Sequence, residues 1–143
     1  MSIMMKKTVF VASLLMAITL LSPFSYAKPP QDSATQSNIT YYTLTPDITT
    51  NYIINGSHLG YIRLQVDLML TDSSQIINIE HHAPLIRDTI ISIIGQQSAQ
   101  QIKSLAGREN IRQLSKQKIN QLLLVETGHT AINELLFTKY LYQ

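Results

Sequence analysis

The chain has 143 residues, 45% of them hydrophobic and 14% charged, with no cysteine or tryptophan and a formal charge of +2. That length accommodates one domain with a real core, and the absence of thiols excludes disulfides, thiolate ligands, cysteine nucleophiles and a lipid-bearing cysteine. Without Lys6 and Lys7 the balance is nine basic against nine acidic residues, which gives no reason to expect a nucleic acid partner.

The chain opens with Lys6 and Lys7, an apolar run over residues 8–21, Pro23, and the small residues Ser25 and Ala27. This is the order of a secretory signal peptide over residues 1–27, cut after Ala27. A retained anchor is the alternative, but at about 1.5 Å per residue the apolar run falls short of a hydrocarbon core ~30 Å thick. The segment 28–38, "KPPQDSATQSN", reads as a flexible linker. The folded domain is expected over residues 39–143.

Within residues 41–54 the even positions Tyr42, Leu44, Ile48, Tyr52 and Ile54 alternate with Thr43, Thr45, Thr49 and Asn51, the period of a half-buried strand. Pro46 cannot donate to a ladder, so this strand lies at an edge or breaks there. After a turn at Asn55-Gly56 comes a clearer alternation, in which Ile62, Leu64, Val66, Leu68 and Leu70 mark the buried face of a strand over 60–71. The two pair as an antiparallel hairpin.

The isoleucine-rich segment 75–95 has a different period. Ile76, Ile79, Ala83, Ile86, Ile90 and Ile93 are three or four residues apart and share one face of a helix. Pro84 kinks that helix or marks a second start, and Gly95 suits its end. Ser98 and Gln101 have capping-box spacing for a short helix over 98–106 closed by Gly107. Ile111, Leu114, Lys118 and Leu122, with Ile119 and Leu123 beside them, trace a longer helix over 108–125. A turn at Gly128 and His129 leads to a last strand over 131–143. The expected fold is therefore α+β, a three-stranded antiparallel sheet with helices on one face.

Few residues invite chemistry. Glu80, His81 and His82 are the natural place for a metal or small ligand, but neighbouring helical side chains diverge by about 100° and do not close readily on one ion. No GxSxG elbow, HExxH run or phosphate-cradling glycine loop is present, so the expectation is no enzyme activity, no cofactor and no metal site. Arg108, Arg112 and Lys116, four residues apart, form a basic ridge. It is either a solvated face or a contact strip for an acidic partner or anionic head groups. Ile77, Ile91 and Ile94 add a second apolar stripe to the isoleucine-rich helix, a surplus that hints at self-association.

Taken together, "YYTLTPDITTNYI", "YIRLQVDLMLT", the helical block from "APLIRD" through "LAGRENIR" to Ile119-Asn120, and the terminal "FTKYLYQ" resemble the FliL family of flagellar basal-body-associated proteins. The resemblance covers about residues 41–143. It implies a non-enzymatic domain similar to the stomatin-like (SPFH) fold, forming a homo-oligomeric ring at the periplasmic side of the inner membrane. The ring would surround the stator units of the flagellar motor and support motility under load. Members of the family usually keep one transmembrane helix, and this chain departs from that pattern. If the leader is cut, the ring is held by protein contacts, and a paralogue serving another envelope assembly is the alternative.

Overall fold

The computed structural model describes residues 39–56 and 58–143. The leader and linker lie outside the described residues. Strand β1 (Thr40–Thr43), β2 (Ile48–Asn55), β3 (His58–Leu70) and β4 (Ile132–Tyr142) form one antiparallel sheet. Between β3 and β4 lie a single 3₁₀ turn (Ser73–Gln75) and helices α1 (Ile76–His81), α2 (Ala83–Gly95), α3 (Ala99–Lys103) and α4 (Leu105–Thr127). The fold is α+β, as expected, with four strands in place of three.

The fourth strand arises because the first expected strand divides at Pro46. Thr43 pairs with Asp67 and Ile48 with Leu64, so residues 44–47 bulge opposite two residues of β3. Proline has no N–H to continue the ladder. The excursion is secured from two sides: Arg87 on α2 donates to the Pro46 carbonyl, and the Asp47 carboxylate accepts from Arg63 and Lys139, both at 2.8 Å. Since β3 pairs with β4 along Ile62–Leu70 while also pairing with β1 and β2, the sheet has three lanes. β1 and β2 run end to end on one side of β3, and β4 runs on the other.

The alternation in β3 is realised in full, with Ile62, Leu64, Val66, Leu68 and Leu70 buried on the face the helices cover. Gly60, the cross-strand partner of Tyr52, lies under that ring, and a Cβ there would come within 2.4 Å of it. The Tyr52 hydroxyl donates to the Gln143 carbonyl at 2.7 Å, tying the β2 lane to the far end of the β4 lane. The turn at Gly56, with φ of 53°, closes the β2–β3 hairpin.

The isoleucine-rich stretch forms two helices. Pro84 sits in the first turn of α2, where its missing N–H costs no helical bond, and His82 ends α1. The expected second start is what the structure shows. The inward stripe holds, with Ile79, Ile86, Ile90 and Ile93 buried. Of the second stripe Ile94 is buried, while Ile77 and Ile91 remain exposed.

Two expectations at the next junction are corrected. Helix α3 ends at Lys103 rather than at 106, because Ser104 adopts an extended conformation and caps α4 by accepting from the Gly107 N–H at 3.0 Å. Gly107 is therefore inside the first turn of α4 and closes nothing. It is glycine because the Gln101 carbonyl of α3 presses on it, leaving only 2.0 Å to an added Cβ. The expected capping box of Ser98 and Gln101 is present. Helix α4 runs to Thr127 and stops at Gly128, whose φ of 78° is the left-handed cap. Its inward row is Ile111, Ser115, Ile119 and Leu123, with Lys118 exposed. Ser115, not Lys118, fills the second place, its hydroxyl satisfied by the Ile111 carbonyl at 2.7 Å.

Candidate functional site

A period of four along α4 gives the site its shape. Side chains four apart stack along one flank of a helix, and on α4 that row is Arg108, Arg112, Lys116 and Asn120. The flank lies along β4, with the two elements running in opposite senses. Arg108 donates to the Phe137 carbonyl at 3.1 Å, Arg112 to the Leu135 carbonyl at 3.0 Å and Asn120 to the Ile132 carbonyl at 2.8 Å. Asn120 also accepts from the Ile132 N–H at 3.0 Å. The row thus occupies backbone groups of β4, the outer lane, which would otherwise be open to another strand.

Two carboxylates complete the seam. Glu134 on β4 accepts from Lys116 at 2.6 Å and from Arg112 Nη1, and Glu109, one turn before, accepts from Arg112 Nε and Nη2 at 2.8 and 2.7 Å. Lys116, then Arg112, hold the Glu134 carboxyl below its usual range. Arg112, with help from Gln113, pulls Glu109 down to about 2. The same contacts, Glu109 first, raise the Arg112 guanidinium. Arg108 stands apart from this cluster, 4.9 Å from the centre of the Tyr140 ring. Burial is the main reason that phenol is pushed up to about 12, with Arg108 opposing it.

The structure therefore brings Arg112 and Lys116 together on Glu134 and places Arg108 a turn away against Tyr140. All three basic side chains have partners within the domain. Sequence reasoning found the spacing and missed its continuation to Asn120, together with Glu134. The four-residue repeat already carried the first, whereas the second required knowing which strand α4 follows.

Beside the seam lie two open hollows that share Leu105 and Arg108. One, about 350 Å³, is lined also by Glu109, Arg112, Leu136 and Phe137. The other, about 190 Å³, is lined by Ile102, Lys103, Ser104, Tyr140 and Tyr142. Leu105, between them, is 83% exposed. On α1, Glu80 and His81 are exposed, while His82 turns its Nδ1 to the Asn78 carbonyl at 2.7 Å. The two imidazoles meet edge to face at 4.9 Å. Among the described residues no group of three or more His, Asp or Glu converges on a point where a metal could sit, and no helix is long and apolar enough to cross a membrane.

Fold and seam together define a compact α+β module in which the last helix is clamped along the outer lane of an antiparallel sheet. The sequence model of the family described as "Flagellar basal body-associated protein FliL" matches residues 41–143, and the chain belongs to that family. It is also similar to the "Flagellar protein FliL" of Aquifex aeolicus (strain VF5), 24% identical over 102 residues. That stretch covers 71% of this chain and 60% of the relative. The expected resemblance to that family is confirmed.

Proposed function

We propose that the chain is exported by its leader and presents, on the linker 28–38, a non-enzymatic domain that oligomerises in the periplasm around the stator units of the flagellar motor and supports torque. The observation that carries this reading is the extent of the family match, which begins one residue into β1 and takes in the rest of the sheet and all the described helices. The charged side chains agree with a scaffold: the densest ionisable cluster, Glu109, Arg112, Lys116 and Glu134, is bonded within itself and to backbone carbonyls. Arg108, Arg112 and Lys116 contact a partner in this reading through the surface they leave open while holding β4. The domain keeps the stomatin-like arrangement that the family resemblance implies.

The test is a chromosomal deletion scored for swimming in media of rising viscosity, paired with a pull-down from gently solubilised envelopes through a tag inserted near Gln36. Swimming that fails progressively with load, with stator and basal-body proteins enriched, is expected. Unchanged swimming at every viscosity with nothing flagellar enriched would end the proposal.

A further inference from the structure

Among the described charges that make no ion pair, Glu80 and Asp88 stand on one flank and Lys103 and Arg108 on the other, while Arg87 on α2 is bonded to the Pro46 carbonyl and Lys118 and Glu126 lie further along α4. On the outer faces of α1 and α2, Glu80 and Asp88 are exposed and make no ion pair among the described residues. Three exposed aliphatics accompany them, Ile77 at 75%, Leu85 at 39% and Ile91 at 38%. Leu85, Asp88 and Ile91 recur every three residues and so share one side of α2. This is an acidic, apolar ridge. Around the start of α4 the combination is reversed: Leu105 and the half-covered Leu136 stand beside Lys103 and Arg108, while the nearby Glu109 is neutralised by Arg112. The N-terminal end of α4, with the positive end of its peptide dipoles, lies at the same place. This is a basic, apolar groove.

The two surfaces occur on opposite flanks, since α2 packs on β2 and α4 on β4, the two outer lanes of the sheet. Neither surface complements itself, because a two-fold contact of either would oppose like charges. Each complements the other, in charge and in exposed aliphatic surface. We infer that the ridge of α1 and α2 on one copy docks into the groove around Leu105 on the next, a head-to-tail contact. Such a contact propagates and, where the rotation closes, makes a ring. The inference rests on the oligomer reading above and supplies the two faces that would build it. Leu105 is the anchor, with Lys103 and Arg108 opposite Asp88 and Glu80.

The chain has no cysteine, so thiols introduced into the full-length protein in its own envelope are unique. With a short bismaleimide, the doubly substituted D88C/K103C chain is expected to give a ladder of dimers, trimers and larger species. Neither single variant should cross-link alone, and the two singles expressed together should give dimers and stop. On density gradients of solubilised wild-type protein, D88K or K103E should each weaken assembly roughly tenfold through like-charge contact, and the double swap should restore it. Wild-type protein that sediments as an oligomer, with no D88C/K103C ladder and no effect of either swap, would overturn this interface and leave the oligomer reading standing. Dimers from one single-cysteine variant would replace it by a two-fold contact. Wild-type protein that sediments as a monomer would remove the oligomer reading and this interface with it.

Discussion

Gly107 shows how a residue's neighbours reverse an intrinsic preference. In an open helix, alanine for glycine stabilises by about 1 kcal/mol, and Gly95, with nothing within 4 Å of an added Cβ, is such a place. At Gly107 the added carbon would lie 2.0 Å from the Gln101 carbonyl, a backbone atom that moves only if α3 moves. Gly107→Ala is therefore expected to destabilise by about 1–3 kcal/mol, and Gly95→Ala to be neutral or mildly stabilising. Urea unfolding of the two variants reads the difference directly. Ser115 makes a related point about polarity. Its buried hydroxyl bonds only its own helix, to the Ile111 carbonyl, so it was invisible to a search for an apolar stripe. Lys118 took its place in the sequence-based row through spacing alone.

At the scale of elements, the seam between α4 and β4 is electrostatic where most of the domain is apolar. Arg112→Ala removes one carbonyl partner and two carboxylate partners at once, yet Glu109 is exposed and Lys116 remains on Glu134. The expected loss is a modest one, about 1–2 kcal/mol in urea titration, against at most ~0.5 kcal/mol for the exposed Lys118→Ala. Acid acts on the same contacts. Glu109 and Glu134 both titrate below their ordinary value of 4.5 in the folded protein, so their ionised forms favour the fold above that pH. The contribution fades as the pH falls through the folded values, about 2 for Glu109. The urea midpoint should fall across that window, and Glu134→Gln should flatten the fall; a midpoint equally steep in the variant would show that the seam does not carry it. This seam was half legible. Period-two alternation gave β3 and the three-to-four spacing gave the helices, because each pattern is set by local geometry and one buried face. The direction in which the Arg108 row points depends on which outer lane α4 follows, a long-range choice that no local period encodes. The break at Pro46 was readable from the missing donor, whereas the Arg87 and Asp47 contacts that hold it were not.

In the whole molecule the order of the lanes gives the final strand a role out of proportion to its length. β3 is the central lane, but along Ile62–Leu70 it has β4 as its partner on one entire side, and every described bond of the α4 seam to the sheet ends on β4. The α+β class could be inferred from the succession of patterns, since strands followed by helices and a closing strand leave few other arrangements; that the closing strand would be the one clamped could not. β4 brings Ile132, Leu135 and Phe137 into the core. Burial of each such side chain stabilises by about 1.5–3 kcal/mol, so together they rival the ~5–15 kcal/mol by which a domain is usually stable. Phe137→Ala alone should cost about 3–5 kcal/mol and leave a weakened but cooperative transition. Deleting residues 132–143 also strips β3 of its ladder to β4 and Arg112 of Glu134 and the Leu135 carbonyl, leaving buried donors, carbonyls and apolar surface exposed together. That variant should lose near-ultraviolet circular dichroism and cooperative melting while the helices retain far-ultraviolet signal. A sharp thermal transition in the truncated chain would instead mean that β1, β2, β3 and the helices form a self-sufficient core, with β4 added to a finished fold.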